Sequence, residues 1–458
     1  MTFVRDAGTG KFYRLRAGAP GYASSATSSL GGGWSKRLRI DLDGCFAFAL
    51  LATTLFIIQL GAAGGGLFIA LVVLYAWLKR ERLLRMMGSR ALPLVIPLLA
   101  LLSTYWSQEP SVTLKLGLEY CATVLAGLLL SAAPRSKGVI YGLFAAFLIY
   151  GVASLQGGGW VALGDNGESA FSGLNGGKNM LGDIASTGAL ISMALLMISL
   201  ASRGLYRWVF IPATLGLGLH LGILVVTRSA GALLGLSLGT VAFLGLASLV
   251  KASIPTRAAL TGLIGIALGG TALFYRELAA SFIDIGAKFF EKDPTLTGRT
   301  YLWQRAQDLI VEHPLVGRGF SAFWVQGNTD AEGLWRYAGI VDRGGFNFHN
   351  TGLEILVHFG WVGLALIATV AIASLVALLV QFIRRPTLAL CFWTSLLAYE
   401  LVRMPLESIG LVPFYFSTVL LFAGFGVAFS SDEARLAGGR PALIRGVVVP
   451  ASTVPGSG

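Results

Sequence analysis

His349 stands in Phe346-Asn347-Phe348-His349-Asn350, directly ahead of an apolar run that opens Thr351-Gly352-Leu353-Glu354-Ile355. A neutral imidazole at the mouth of an apolar helix, at a membrane surface, would take a proton from a hydroxyl near neutral pH. A histidine that merely caps a helix fits the same place, so this residue alone does not choose. Cations offer the second kind of chemistry. Arg228 in Thr227-Arg228-Ser229 falls between two apolar runs, and Lys178 in Asn175-Gly176-Gly177-Lys178-Asn179 opens another. Arg299 follows Leu296-Thr297-Gly298, Arg318 lies between Gly317 and Gly319, and Arg403 closes an apolar run with Glu400 and Glu407 nearby. Arg and Lys are the usual donors to phosphate oxygens, and Arg binds two at once. One reading is a diphosphate site at the membrane surface. The other is a set of unrelated interfacial ion pairs, since charge near a bilayer is costly unless paired.

Other motifs fall away. Gly177-Lys178 is no phosphate loop, because Ser172 stands where that motif needs Gly and Asn179 where it needs Ser or Thr. Asp41-Leu42-Asp43 has the D-x-D form, yet it sits at the edge of the first apolar run and reads as an interfacial pair of acids. The four histidines, His220, His313, His349 and His358, include no H-E-x-x-H, so no resident metal and no cofactor is expected. His358 follows Glu354 by one turn, a spacing that lets the two pair on one helix face. Cys45, Cys121 and Cys391 lie in apolar runs without metal-ligand spacing and read as small core residues.

The elements that must position these residues are membrane helices. Of 458 residues, 55% are hydrophobic and 13% charged, with a mean hydropathy of +0.72; soluble domains are about 25% charged. Apolar stretches predict twelve spans, near 44–62, 63–78, 91–106, 113–131, 138–155, 179–201, 208–226, 231–250, 258–275, 352–380, 387–403 and 409–430. Gly231, Gly235 and Gly239 mark a small-residue packing seam. Residues 1–39 hold seven Lys/Arg and no early apolar core, which predicts a cytoplasmic tail rather than a cleaved signal. With that end inside, the inner segments carry 23 of the 35 basic residues and only six of the 23 acidic ones. This is the positive-inside pattern, and it accounts for the net charge of +12 without a nucleic-acid partner. The expected organisation is a basic cytoplasmic tail (1–43), nine spans (44–275), a large periplasmic loop (276–351), three spans (352–430) and a cytoplasmic tail (431–458). Within the large loop, a surface helix is expected from about Thr300 to Glu312, stopped by Pro314, with a turn at Gly317 and Gly319.

The run from His349 through Glu354, continued to Phe359-Gly360-Trp361-Val362-Gly363-Leu364, resembles the signature of the O-antigen ligase and polymerase family. That signature is a His-Asn pair closing the large periplasmic loop, a Leu-Glu helix and a glycine turn. Trp106-Ser107-Gln108-Glu109-Pro110 is similar to the family's early Trp-Ser-x-x-Pro element. Phe171 through Asn179 is similar to its Lys-Asn loop, and Thr227-Arg228-Ser229 to its Thr-x-Ser element. Thr297-Gly298-Arg299-Thr300-Tyr301-Leu302-Trp303 with Pro314-Leu315-Val316-Gly317-Arg318-Gly319 resembles the loop of the exopolysaccharide-polymerase branch. Two departures stand out. Ligases commonly carry Arg where this chain has Lys178, and many relatives place Arg just after the Thr-x-Ser element, whereas Arg228 lies inside it.

The resemblance, which covers about residues 100–430, implies an all-α polytopic protein of the bacterial inner membrane with a glycosyltransferase-C-like fold. It implies an undecaprenyl-diphosphate-linked glycan as donor, and neither nucleotide sugar nor metal. His349 would take the acceptor hydroxyl's proton, or orient that hydroxyl, for attack on the donor's anomeric carbon. Arg228 and Lys178 would hold the diphosphate, with Arg299 and Arg318 as helpers and Asn179, Asn350, Glu354 and Arg403 in support. The leading expectation is a polymerase of lipid-linked repeat units, with a ligase onto lipid A core as the alternative. Membrane lipids surround it, and a chain-length regulator is a further candidate partner. A transporter or flippase would set its ionisable residues near the midplane, whereas here most charges fall at the outer ends of spans. A non-catalytic assembly partner would not need His349 or Arg228.

Overall fold

The computed structural model describes residues 2–5, 12–15, 41–89, 91–133, 136–163, 168–273, 299–341, 343 and 346–430. Most of the amino-terminal tail, residues 276–298 of the expected loop and the 431–458 tail lie outside the described residues. Met1–Ile40 and Asp41–Gly458 form separate compact units. In the first, strands β1 (Thr2–Arg5) and β2 (Phe12–Leu15) pair antiparallel, with Thr2 opposite Leu15.

The second unit runs α1 (Leu42–Leu55), α2 (Ile57–Leu78), α3 (Arg80–Ser89), α4 (Ala91–Leu102), α5 (Pro110–Ser131) and α6 (Ser136–Gly157), then hairpin β3–β4 (Gly159–Ala162, Ser169–Gly173). There follow α7 (Lys178–Leu200), α8 (Phe210–Thr227), α9 (Ala230–Ser248), α10 (Ile254–Leu273), α11 (Arg299–Glu312), α12 (Thr329–Tyr337), α13 (Thr351–Arg384), α14 (Leu388–Arg403) and α15 (Phe416–Ala428). Among the described residues seven helices are long and apolar enough to cross a membrane, and three shorter apolar ones accompany them. The chain is a multi-pass membrane protein.

Helix α7 forms the centre, buried along almost its whole length. Its small residues permit this. A Cβ at Gly188 would run into the His220 ring, and one at Gly182 would lie 2.7 Å from Ser229 Cβ. His220 itself is fully buried, with ring nitrogens 2.7 Å from the Gly216 carbonyl and 3.2 Å from that of Phe147. It is a packing residue that bridges α8 and α6.

Three expected boundaries shift for identifiable reasons. The break between the first two spans is made by Phe56 and by Gly61, whose φ of 54° needs glycine. The expected 352–380 span is broken at Gly360 (φ 62°, ψ −163°). There the Pro314 and Leu315 carbonyls accept the N–H groups of Trp361 (2.8 Å) and Val362 (3.1 Å), capping the second piece of α13. In return, the Val357 and His358 carbonyls accept the N–H groups of Arg318 (2.9 Å) and Gly319 (3.0 Å). The two strips of main chain lie so close that a Cβ at Gly360 would collide with the Leu315 carbonyl group, and one at Gly317 would sit 2.5 Å from His358 C. Lastly, the expected 409–430 span is helical only from Phe416, because Pro413 lacks a donor and Phe414 is left-handed (φ 54°). Side chains of α5 satisfy the irregular stretch. Tyr120 Oη donates to the Gly410 carbonyl (2.7 Å) and Thr123 Oγ1 accepts the Phe414 N–H (2.9 Å).

Candidate functional site

The start of α13 is tied to the segment that follows α14. Asn350 caps the helix, its Oδ1 accepting the Leu353 N–H at 3.1 Å while its Nδ2 donates to the Pro405 carbonyl at 3.1 Å. The Thr351 N–H donates to the Met404 carbonyl (2.8 Å). Its Oγ1 donates to the Glu407 carbonyl (2.6 Å) and accepts the Ile409 N–H (2.9 Å). These bonds bring Glu407 against His349. His349 Nδ1 lies 3.2 Å from Glu407 Oε2, and Arg299 Nη2 lies 3.1 Å from Glu407 Oε1. Arg299 Nη1 also donates to the Leu406 carbonyl at 2.7 Å. Burial by itself pushes the Glu407 carboxyl up, but the His349 hydrogen bond and the charges of Arg299, His349 and Arg403 together bring it below the usual glutamate value. Glu407 is therefore ionised at neutral pH and only accepts, so the His349–Glu407 bond puts a hydrogen on Nδ1 and leaves Nε2 as the ring nitrogen that the carboxylate does not engage.

Backbone geometry holds His349 as firmly as its side-chain partner does. The residue is left-handed (φ 49°), with its N–H donating to Asn347 Oδ1 at 2.8 Å. Phe348 before it is gripped at both ends: its N–H donates to Glu354 Oε2 (2.9 Å) and its carbonyl accepts Trp303 Nε1–H (2.9 Å). Glu354 also accepts Trp324 Nε1–H at 3.2 Å and Ser408 Oγ–H at 3.3 Å, with His358 Nε2 3.5 Å away on its own helix. Glu354 and His358 thus lie side by side on one helix face without a hydrogen bond between them. The carboxylate's main work is to fix the loop that carries His349.

The cations fall into distinct places. Arg228 ends α8 in a left-handed C-cap (φ 49°, ψ 35°) and reaches Glu168 Oε2 at 2.7 Å, both side chains being about half exposed. Its neighbour Ser229 donates to Asn179 Oδ1 at 3.3 Å, so Lys178-Asn179 at the start of α7 and Arg228-Ser229 share one surface. Arg318 lies elsewhere. Its buried guanidinium bonds Gln108 Oε1 at 2.9 Å and pairs with Glu312, locking the bracket around Gly360. Arg403 is buried against Asp183 Oδ1 at 2.5 Å and against Glu400 at 3.5 Å. Asp43 bonds Tyr75 Oη, Lys79 and Arg82 at 3.0–3.2 Å. Among the described residues no three His, Cys, Asp or Glu side chains are grouped to hold a metal ion.

Two members of this site escape a reading of the sequence. Glu407 registers there only as a neighbour of Arg403, because its contact with His349 needs the fold. Asp183 is a lone acid within an apolar run, and an ionisable side chain inside a span is itself the available signal.

An apolar cavity of about 460 Å³ opens beneath the Asn350–Gly352 turn, walled by residues that include Ile355, Leu364, Met404, Leu411 and Phe422.

Comparison with known proteins shows the family. The family model described as O-antigen ligase matches residues 215–368, which include Arg228, Arg299 and His349. The exopolysaccharide production protein ExoQ of Rhizobium meliloti (strain 1021) is 32% identical over 329 residues, spanning 70% of this chain and 73% of that protein. The chain belongs to the O-antigen ligase and polymerase family of membrane proteins, on its exopolysaccharide branch.

Proposed function

We propose that this protein polymerises polyprenyl-diphosphate-linked oligosaccharide repeat units into an exopolysaccharide at the outer face of the bacterial inner membrane. The reading places twelve spans in the membrane, both termini in the cytoplasm, and the 276–351 loop in the periplasm. The His349–Glu407 contact at 3.2 Å is the observation that carries it. An acceptor sugar hydroxyl attacks the anomeric carbon of the donor, and its proton passes to His349 Nε2. The bond from that carbon to the phosphate oxygen breaks, and the diphosphate leaves with the electron pair. Glu407 holds the imidazole in the tautomer that accepts and stabilises its cation once formed. Arg228 and Lys178 receive the leaving group, so that fixed positive charge meets developing negative charge. Arg299 holds Glu407, which makes it a positioning group. Arg318, engaged by Glu312 and Gln108, takes no part in the grip. The apolar cavity below Asn350 suits a donor with a lipid tail, and the related protein's role in exopolysaccharide production favours polymer over transfer to lipid A core.

The test incubates purified protein in detergent with polyprenyl-diphosphate-linked repeat units and EDTA, nucleotide sugars absent. A ladder of lengthening glycans is expected. Product only after lipid A core is added would make the protein a ligase. Silence under both conditions would remove glycosyl transfer and return transport, since detergent leaves no sealed compartment.

A further inference from the structure

Buried where helices α7 and α14 meet, Asp183 and Arg403 form an ion pair that no step above uses. Asp183 Oδ1 accepts Arg403 Nη1–H at 2.5 Å and Tyr399 Oη–H at 2.8 Å, and the guanidinium lies 4.8 Å from the centre of the Tyr399 ring. All three residues are buried, none more than 4% exposed. Burying charge between membrane helices is expensive, and an apolar pair would often serve folding as well. The pair's place in the chain suggests what it is for. Asp183 follows Lys178 and Asn179 on the same helix, about one turn further in. Gly182 beside it is pressed against Ser229, the neighbour of Arg228. Arg403 ends α14, and its carbonyl accepts the N–H groups of Leu406 (2.8 Å) and Glu407 (2.9 Å). Glu407 in turn holds His349. Helix α9, which begins directly after Arg228-Ser229, closes on the same point: a Cβ at Gly235 would lie 2.6 Å from Arg403 Cδ.

We infer that Asp183 and Arg403 are positioning residues that set the distance between the cation-bearing surface at Lys178 and Arg228 and the base unit His349–Glu407. The inference rests on the glycosyl-transfer reading above. A diphosphate gripped at one place must present its anomeric carbon to a base anchored at another, and a misplacement of about 1 Å costs about 100-fold in rate. Binding of the donor alone makes no such demand.

The experiment measures kcat and donor KM for Asp183→Glu, Arg403→Lys and the double variant, on polyprenyl-diphosphate-linked repeat units in detergent, with thermal unfolding alongside. Each single variant keeps charge but alters reach, and should lose about 10- to 100-fold in kcat while donor KM moves by less than about two-fold. The double variant lengthens one partner as it shortens the other, and should recover most of the loss. Folded single variants with wild-type kcat would overturn the assignment. So would a joint loss of stability and donor affinity that the double variant does not rescue, which marks a pair needed only for folding. Tyr399→Phe serves where a charged variant does not fold: it deletes one donor to Asp183 and should lower kcat with KM unchanged, and wild-type kcat there overturns the assignment equally. A wild-type sample without turnover would fail the glycosyl-transfer reading, and the positioning role with it.

Discussion

His349 and Glu407 stand 58 residues apart in the chain and 3.2 Å apart in space. Glu407 is held in its turn by Arg299 from the start of α11 and by Thr351 from the start of α13. Three separate segments thus meet at one imidazole. An imidazole with Nδ1 committed to a carboxylate has one atom left for chemistry, and Nε2 is that atom.

Removing it should leave the scaffold standing. His349→Ala is expected to lower glycan formation by about 10²- to 10⁴-fold, the usual contribution of a positioned base, while donor binding persists. Ala is strained at a φ of 49°, so His349→Asn, which tolerates left-handed backbone, is the better control for folding. Normal chain formation by either variant would end the general-base role.

Glu407→Gln tests the tautomer. Its amide can present either an acceptor or a donor to Nδ1, and an expected drop of about 10-fold in kcat follows from the lost ionic hydrogen bond. A pH effect accompanies it. Because the Glu407 carboxyl lies below its ordinary 4.5 in the folded protein, its ionisation adds stability that is fully present above pH 4.5 and is lost as pH falls through the lower folded value. Thermal unfolding of the wild type should therefore weaken more steeply on acidification below pH 4.5 than that of Glu407→Gln. Parallel curves would show that Glu407 is not ionically held.

Arg228→Lys keeps the charge but not the planar fork. Donor KM should rise about 10-fold or more, the cost of one charge-assisted hydrogen bond. Glu168→Gln should matter little for stability, because the Arg228–Glu168 pair is about half exposed and such pairs contribute about 0–1 kcal/mol. Wild-type donor kinetics for Arg228→Lys would place the diphosphate elsewhere.

The two helix-breaking glycines should respond unequally to alanine. Gly61 has open space where a Cβ would go, so Gly61→Ala meets only the cost of a backbone conformation (φ 54°, ψ −139°) that residues with a Cβ rarely adopt, about 1–3 kcal/mol. At Gly360 the same substitution also drives a methyl into the Leu315 main chain. Thermal unfolding should show Gly360→Ala clearly the worse, with His349 activity lost as the bracket opens. Equal shifts would mean that the bracket around residues 314–319 is not holding α13.

Much of this architecture is legible in the amino-acid sequence. Composition and the long apolar stretches are enough for a multi-pass protein, and Pro314 correctly stops a helix that runs Arg299–Glu312. It is Asn350, one place after His349, that caps α13, a role its residue type favours. The break in α13 is harder, because Gly360 sits in a stretch apolar enough to continue and the carbonyls that end it come from residues 314 and 315. Arg318 has the type of a phosphate ligand, yet it is occupied by Gln108 and Glu312, and nothing in the spacing of Gln108 links the two. The Asp183–Arg403 pair spans 220 residues. Sequence places each charge but cannot introduce one to the other.

The segment between Arg403 and Ile409 has no slack. Met404, Pro405, Glu407 and Ile409 all bond to Asn350 or Thr351 through the main chain. Length is thus as tightly specified there as residue identity: one inserted alanine after Met404 should move Glu407 out of reach of His349 and silence the protein while every functional side chain is retained. Val341 is exposed and lies past the end of α12, and a short insertion beside it should be tolerated. A pair of single-residue insertions would therefore separate places where the chain measures distance from places where it merely connects.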